Sequence, residues 1–432
     1  MEILRKDIMI YVCEPQCKSG SHESFNSGFL HGLGEIYNDI YFYAEKTHII
    51  YIKSYLSLRN SSCIKKINYK EITFLNNIND FRQLFFYYKI FNNIFKRITE
   101  NDKILFLSTN PMALFILNKL VKKQKYKNII LNIVLHGGIE ELIPIQKNNL
   151  LANTRLNIIS SKPLEKNNKV IYFIKKIYRF VRYRIKAILL ETYNSLNHAF
   201  FNYKSFFSNK RDLSSFNFIV LSKHILNNLH INNSTFKMKL CFLPCIFPLN
   251  PVEIKNDYPK LAIFGYGTGN GLFEEFLEKL DNLNPSKKYE IRLISTRSYQ
   301  GIERYKNITL NRSNFIPRIE YEKLAEDIDF FINFYDPSQY RISCPGSILE
   351  AIMYRKPVIY IGNECFDSYN SLAGPIGIRA GSTENFALIV FDIIEKWPFE
   401  RERIYKFKEN IEKVINIIDF TTQLKNDSSI IL

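Results

Sequence analysis

Short runs of consecutive apolar residues alternate along this chain with longer stretches in which apolar residues recur at helical spacing. Apolar runs of roughly four to eight residues predict buried strands, whereas apolar positions three or four residues apart predict helices. Because the runs are continuous rather than alternating, we expect helices to cover both faces of the sheets. The pattern therefore predicts an α/β protein built on parallel sheets.

The first half of the chain repeats a strand–helix unit. Strands are predicted over residues 7–13, 39–43, 48–52, 103–108, 128–135, 216–221 and 239–243, with a weaker candidate over 64–75. Helices are predicted over residues 21–35, 80–98, 111–123 and 222–229. Pro111 stands near the start of its helix, a position that proline favours.

Four prolines between residues 244 and 259 mark the best candidate for a domain linker, and the strand–helix pattern restarts after them. Strands are predicted over residues 260–264, 290–295, 307–310, 329–334 and 358–362, and helices over 272–280, 321–327, 347–355, 382–397 and 401–417. The polar tail after Phe420 is expected to fray. We therefore predict an N-terminal domain over 1–250, a C-terminal domain over 251–398, and a C-terminal helix and tail over 399–432.

The net charge of the chain predicts a class of binding partner. The chain has 59 Lys and Arg against 42 Asp and Glu, a formal net charge of +17, which favours anionic partners. The charge is densest in a predicted insert over residues 161–211, and its middle, 170–191, has the pattern of a basic amphipathic helix. Such a helix fits an anionic membrane surface, or packs on the first domain with its basic face in water. No nucleic-acid-binding motif is present, so we expect no nucleic-acid partner.

Cysteine usage and hydropathy set the expected compartment and cofactors. The chain has seven cysteines, no C-x-x-C motif and no nearby Cys/His set, which favours reduced thiols without a metal. No stretch approaches the ~18 uninterrupted apolar residues of a membrane span, and the apolar run near the N-terminus is short for a signal peptide. We expect a cytoplasmic protein with no metal and no cofactor.

Candidate chemistry in the first domain follows two predicted strands. In open parallel sheets, ligands bind outside the carboxyl ends of the strands. His22 and Glu23 open the helix after the first strand, and His136 directly follows the strand over 128–135 with two glycines behind it. We predict that these three residues are catalytic and face one cleft, although the same patterns also fit a capped helix and a tight turn.

A glycine-rich turn follows the first strand of the second half. Gly265, Gly267 and Gly269 allow backbone to approach a phosphate or a sugar, although Asn270 breaks a clean G-x-G-x-x-G pattern. Arg297, after the next strand, is a candidate cation for a phosphate or an ordinary surface arginine. These four residues are predicted to bind the phosphate or sugar of a donor substrate.

The stretch with the most candidate binding residues lies at the start of the helix predicted at 347–355. Gly346 and Ser347 supply free N–H groups to a diphosphate at the helix N-terminus, and Glu350 stands one turn further on, where a ribose diol would lie. No Asp-x-Asp metal motif accompanies them. We predict that these three residues bind the diphosphate and the ribose of the same donor substrate.

Residues 346–361 resemble the donor-site helix and the following strand of GT-B glycosyltransferases, especially retaining nucleotide-sugar enzymes. The matching residues are Glu350-Ala351 and Pro357-Val358-Ile359, and residues 20–26 resemble the acceptor-side loop of bacterial polysaccharide transferases. Many relatives have a second glutamate eight positions before Glu350, where this chain has Ile342, and a glycine where it has Arg355-Lys356.

The resemblance implies a GT-B fold, in which two Rossmann-like domains face each other across a cleft and a C-terminal helix packs back. It also implies a metal-independent hexosyltransferase-type enzyme of capsule or lipopolysaccharide synthesis. A nucleotide-sugar donor would bind the second domain, and a saccharide or lipid-linked acceptor would bind the first, at the inner face of the cytoplasmic membrane. Two alternatives remain open: an inactive scaffold in a polysaccharide-assembly complex, suggested by Ile342, and a basic nucleic-acid-binding protein.

Overall fold

The structure is a computed structural model. It describes residues 8–73, 82–123, 126, 128–136, 139, 142, 201–208, 211–231, 233–242, 256–264, 271–294, 304–305, 307–310 and 316–431. The helix predicted over 170–191 and most of the insert at 161–211 lie outside the described residues. So do four predicted donor-binding residues, Gly265, Gly267, Gly269 and Arg297.

Apolar runs of the first half form one parallel sheet. In the described part of the chain this sheet has seven strands in the order β3-β2-β1-β4-β5-β6-β7. The strands are β1 (Ile10–Cys13), β2 (Ile40–Ala44), β3 (Ile67–Glu71), β4 (Lys103–Phe106), β5 (Leu131–Leu135), β6 (Phe216–Val220) and β7 (Lys237–Leu240). Every pairing is parallel, so all strands end at one edge.

Helices connect these strands. They are α1 (Glu23–Gly34), α2 (Lys46–Leu58), α3 (Gln83–Phe95), α4 (Pro111–Val121), α5 (Tyr203–Phe206) and α6 (Lys223–Asn228). Pro111 opens α4 as predicted, and the Asn110 side chain before it accepts a hydrogen bond from the Ala113 N–H. We call the part of the chain that carries this sheet the first domain.

The second half forms another parallel sheet, with six strands among the described residues in the order β10-β9-β8-β11-β12-β13. The strands are β8 (Lys260–Phe264), β9 (Glu290–Ile294), β10 (Ile308–Leu310), β11 (Phe330–Asn333), β12 (Val358–Ile361) and β13 (Gly377–Ala380). The helices are α7 (Leu272–Leu283), α8 (Arg318–Glu326), α9 (Gly346–Met353), α10 (Glu364–Ala373) and α11 (Thr383–Glu395). This part is the second domain.

The predicted strand over 48–52 is wrong, because these residues belong to the helix α2. The Glu45 side chain caps the start of α2 by accepting hydrogen bonds from the Thr47 and His48 N–H groups. The buried residues of α2 recur at helical spacing up to Tyr55 and Leu56, beyond the short run that resembled a strand. The helix α10 and the strand β13 were not predicted at all.

The tail after Phe420 is ordered rather than frayed. After α12 (Glu400–Ile418), the chain forms α13 (Phe420–Asn426) and a 3₁₀ turn, and it returns to the first domain. A Cβ atom on Gly32 would lie 2.5 Å from the Phe420 ring, so α1 and α13 approach closely there. The Ile430 carbonyl accepts a hydrogen bond from the Asn217 side chain at 3.1 Å. The C-terminus therefore fastens the two domains together. No helix in the described ranges has the length and hydropathy of a membrane span.

Candidate functional site

A cavity of about 690 Å³ lies between the two domains. Its first-domain wall comes from the loop after β1, the start of α1 and one face of α2, and its second-domain wall from the ends of β8 and β11 and from α8 and α9. The described lining residues are Ser19, Gly20, Glu23, Tyr51, Ser54, Tyr55, Leu58, Phe264, Ile316, Arg318, Tyr321, Tyr335, Tyr340, Gly346, Ser347 and Glu350. Four predicted site residues, Glu23, Gly346, Ser347 and Glu350, therefore meet around one cavity.

A buried carboxylate supports the first-domain wall. Glu14, directly after β1, is fully buried and accepts hydrogen bonds from the Gln16 N–H at 2.9 Å and the Cys17 N–H at 3.1 Å. The Asn26 amide donates to the other carboxylate oxygen at 3.2 Å, and the Ser108 hydroxyl donates to the same oxygen as the two N–H groups. Four donors thus compensate the buried charge and fix the backbone that leads into the loop.

The same network reaches the loop through His48, which is fully buried on α2. Its Nδ1 lies 2.8 Å from the Ser19 carbonyl, and its Nε2 lies 2.8 Å from the Asn26 Nδ2. A carbonyl only accepts, so Nδ1 carries the proton and Nε2 accepts from the Asn26 amide. Sequence reasoning missed this buried histidine because its segment was taken for a strand.

Glu23 is the carboxylate of the first-domain wall. Burial raises its pKa above the usual range, while Arg318 on the opposite wall acts against this rise. A raised pKa brings a carboxylate closer to the range in which it exchanges protons with a substrate hydroxyl at neutral pH.

His22 and His136 come together at the carboxyl edge of the first sheet. Nδ1 of His22 lies 3.0 Å from Nε2 of His136. Burial, together with the neighbouring His22, lowers the pKa of His136 to about 4. Neither histidine lines the cavity, and their predicted catalytic role stays a prediction.

On the second-domain wall, the N-terminus of α9 opens toward the cavity. Pro345 precedes the helix, and no side chain caps it. A Cβ atom on Gly346 would meet nothing within 4 Å, so there is open space at the first helical residue. The Ser347 hydroxyl contacts the Tyr335 hydroxyl at 3.2 Å. Uncapped N–H groups at a helix N-terminus favour an anionic ligand.

One turn further on, Glu350 is held by its neighbours. It accepts a hydrogen bond from the Tyr321 hydroxyl at 2.5 Å and from Nη1 of Arg318 at 3.3 Å. Arg318 also donates from Nε to Glu322 at 2.9 Å, while its buried Nη2 has no hydrogen-bond partner among the described residues. Sequence reasoning missed Arg318 because it placed the start of this helix three residues later, at Tyr321.

These charges connect the two domains. Arg59, at the end of α2, forms an ion pair with Glu322 on α8. The ring of Tyr55 lies 5.4 Å from the guanidinium groups of both Arg59 and Arg318, at cation–π distance. The two domains therefore meet at the cavity through shared ionic and aromatic contacts.

The structure shows what stands at the two positions where the sequence departs from the GT-B motif. Ile342 is buried in the core and presents no polar group at the position where the sequence resemblance implied a glutamate. Arg355 has a φ of 54°, the left-handed conformation that a glycine adopts easily after a helix. The following Lys356 N–H donates to the Ala351 carbonyl at 2.9 Å, and Arg355 forms an ion pair with Glu412 on α12. The helix α9 thus ends without the glycine.

One His/Cys cluster was not predicted, because its members are far apart in the sequence. Within the described ranges, His224, Cys344 and Cys365 place potential metal-ligand atoms within 4.8 Å of one another. Nδ1 of His224 lies 2.8 Å from the Ser222 hydroxyl, and Nε2 lies 2.9 Å from the Tyr340 carbonyl. Both ring nitrogens are thus occupied, and the Nε2 contact joins α6 to the loop before α9.

No protein-family description matches the sequence, and no curated protein matches it significantly. Solved structures match over nearly the whole chain. A glycosyltransferase from Rickettsia africae is 13% identical with a TM-score of 0.58, over 98% of this chain and 97% of its own. TarM from S. aureus, in complex with Fondaparinux, alpha-GlcNAc-glycerol and UDP, is 11% identical with a TM-score of 0.56, over 98% and 99%. The lipopolysaccharide outer core galactosyltransferase WaaB is 12% identical with a TM-score of 0.52, over 98% and 100%.

Together, the two parallel sheets, the cavity between their carboxyl edges and the returning C-terminal helix define a GT-B fold. This chain has the fold of the glycosyltransferases named above, as the sequence resemblance implied.

Proposed function

We propose that this protein is a glycosyltransferase that moves a sugar from a nucleotide-sugar donor to a saccharide or lipid-linked saccharide acceptor. The observation that carries the proposal is the interdomain cavity, where Glu350 and the uncapped N-terminus of α9 face Glu23 across the domain boundary. Donor and acceptor bound on opposite walls would meet there, which makes the reaction effectively unimolecular.

The donor nucleotide is assigned to the second-domain wall. The Glu350 carboxylate already accepts two hydrogen bonds, and its remaining lone pairs are available to ribose hydroxyls. The N–H groups of Gly346 and Ser347 and the unpartnered Nη2 of Arg318 are suited to an anionic leaving group. This supports a mechanism in which protein groups, rather than a metal ion, stabilise the departing diphosphate.

The acceptor is assigned to the first-domain wall. Glu23, whose pKa burial raises, would orient the acceptor hydroxyl or take its proton. His22, which directly precedes Glu23 in the chain, contacts His136, and this pair is proposed to shape the acceptor side.

The test is an assay of donor hydrolysis and transfer over a panel of UDP-, GDP- and TDP-sugars, together with calorimetric binding of the free nucleotides. We expect one nucleotide class to bind and its sugar to be released or transferred, and Glu23→Gln to lower turnover while nucleotide affinity is retained. If the parent neither binds any of these nucleotides nor releases any sugar, the proposal is wrong.

An inactive scaffold in a polysaccharide-assembly complex is the second candidate, favoured by the buried Ile342 in place of a glutamate. The same assay separates the two candidates. A scaffold of this kind predicts that no sugar is released from any donor, and nucleotide binding without turnover would favour it.

We further propose that the enzyme works in cell-surface polysaccharide synthesis and contacts an anionic membrane through residues 170–191. Their basic positions, Lys175, Arg179, Arg182 and Lys186, would each contribute about 1 kcal/mol at such a surface. The parent should sediment with anionic liposomes and be released as salt rises. A variant with glutamine at these four positions should stay in solution, and equal sedimentation of that variant would contradict the proposal.

A further inference from the structure

Beyond the reaction centre, the first domain carries a track of depressions that leads away from the cavity. We propose that this track binds an extended, anionic saccharide chain, so that the acceptor is an acidic oligosaccharide or polysaccharide rather than a neutral sugar. The inference rests on the proposed function, because it names the substrate class of that same site.

The continuity of the track follows from shared lining residues. Ser19 lines the interdomain cavity and also a smaller depression of about 280 Å³ beside it. Glu71, Ile72 and Thr73, at the end of β3, line that depression and also a groove of about 740 Å³ beyond it. A chain lying in the groove would therefore direct one end over the carboxyl edge of the sheet toward Ser19 and Glu23.

The groove has the surface chemistry of a saccharide site. It runs between the edge strand β3 and α3, and it is lined by Tyr69, Phe85 and Phe86. Phe85 is 68% exposed, which is unusual for a phenylalanine unless it contacts a ligand or partner. Aromatic rings offer flat apolar faces against which the CH faces of sugar rings pack.

Basic side chains accompany these rings. Lys70, Lys89 and Arg97 line the groove, and none of them forms an ion pair in the described part of the chain. The nearest acidic lining residue is Glu71, so the cations outnumber the acid. A cleft lined by unneutralised charge of one sign attracts a ligand of the other sign. Carboxylate, phosphate or sulfate groups along the saccharide would meet these side chains.

The position of the track identifies the occupant. A separate protein or nucleic-acid partner would not need its end to reach the reaction centre, whereas an acceptor chain must place a hydroxyl beside the donor. Ser19 lines both the depression and the interdomain cavity and stands four residues before Glu23, so the track meets that requirement.

The test uses Fondaparinux, a sulfated pentasaccharide, and maltopentaose, a neutral one, as calorimetric probes of the full-length protein. We expect the parent to bind Fondaparinux more tightly than maltopentaose, with an affinity that falls as salt rises. The triple variant Lys70→Gln, Lys89→Gln, Arg97→Gln should lose affinity for Fondaparinux by on the order of tenfold. Phe85→Ala should weaken both probes.

The matched control removes the same charge elsewhere on the first domain. The control positions are Lys119 on α4, Lys122 directly after α4, and Lys237 on β7 at the opposite edge of the sheet, and all three are exposed. Their replacement by glutamine should change the affinity for Fondaparinux less than twofold. Equal losses in the groove and control variants would overturn the inference, as would equal binding of the two probes. A single-stranded DNA oligomer that binds the groove as tightly as Fondaparinux would also overturn it.

Failure of this inference is distinguishable from failure of the proposed function. Nucleotide affinity, measured on the same parent and groove variant, should be unchanged, because the groove lies outside the donor wall. A parent that binds nucleotide but shows no preference for Fondaparinux contradicts only the anionic acceptor. A parent that binds no nucleotide contradicts the proposed function.

Discussion

On the first-domain side of the cavity, the wall rests on one fully buried carboxylate, Glu14, that accepts four hydrogen bonds from uncharged donors. On the second-domain side, Glu350 and Glu322 share the guanidinium of Arg318, and Glu322 also pairs with Arg59 from the other domain. The first wall therefore rests on a single buried acceptor, whereas on the second wall Glu322 and Arg318 each have two ion-pair partners.

This difference indicates which of the two walls is rigid. Removing one member of the first network leaves buried polar groups unpaired, which is costly. Removing Glu350 or Arg59 from the second network leaves Arg318 and Glu322 paired with each other. We infer that the loop on the first wall is preorganised, whereas the second wall can exchange its contacts when a ligand arrives.

The largest expected effect is at Glu14. Glu14→Ala should lower the free energy of unfolding by about 3–5 kcal/mol, because the Asn26 amide, the Ser108 hydroxyl and two backbone N–H groups lose their buried acceptor. Urea denaturation followed by circular dichroism measures the change.

The control for this prediction is Glu100→Ala, at an exposed position. It should change the stability by less than about 0.5 kcal/mol. If Glu14→Ala cost no more than this control, the first wall would not depend on the buried carboxylate, and the contrast between the walls would be lost.

The next effect concerns pH and the pair formed by His22 and His136. The folded protein holds the pKa of His136 at about 4, against an ordinary value of 6.5. Between these two pH values the unfolded chain binds a proton that the folded protein does not, so stability falls as the pH is lowered from 6.5 to 4. Full protonation of the unfolded histidine corresponds to about 3 kcal/mol.

The measurement compares unfolding free energies at pH 7 and pH 4. His136→Gln should flatten this dependence by about 3 kcal/mol. His230→Gln, at an exposed histidine outside the network, should leave it as in the parent. An unchanged slope in His136→Gln would contradict the assignment of this acid response to His136.

The sheets could be predicted from the sequence because their strands are continuous apolar runs such as residues 260–264 and 358–361. The helix α2 could not, since residues 48–52 near its start include three isoleucines in a short run that resembles a strand, and its helical spacing emerges only further along. The tail after Phe420 appears polar in isolation, and only its packing against α1 and β6 orders it.

The candidate site divides in the same way. Gly346, Ser347 and Glu350 could be predicted because a helix N-terminus and its first turn are local patterns. Arg318 could not, because its helix was predicted to begin three residues later. Arg59 could not, because its role arises from an ion pair with Glu322, 263 residues further along the chain in the other domain. His224, Cys344 and Cys365 meet for the same reason.

On the second wall, the predicted effect is on ligand binding. Glu350→Ala should weaken nucleotide binding about 10- to 150-fold, which is the loss of a charged hydrogen bond of about 1.5–3 kcal/mol. Calorimetric titration with the nucleotide that the parent binds measures it. Tyr321→Phe is the control, since it removes a hydroxyl that supports the carboxylate but keeps Glu350 itself. If Tyr321→Phe lost as much affinity as Glu350→Ala, Glu350 would act by supporting the wall rather than by contacting the ribose.

The smallest effect is expected at the ion pair that joins the walls. Arg59→Gln should lower the free energy of unfolding by only about 1 kcal/mol, because Glu322 keeps its contact with Arg318 at 2.9 Å. Glu322→Gln should cost more, since Arg59 then loses its ion-pair partner and Arg318 keeps only Glu350. A double-mutant cycle on this pair, measured by urea denaturation, should give a coupling energy near 1 kcal/mol. A loss for Arg59→Gln as large as that for Glu14→Ala would show that the second wall has no redundancy, and that both walls are held by single contacts.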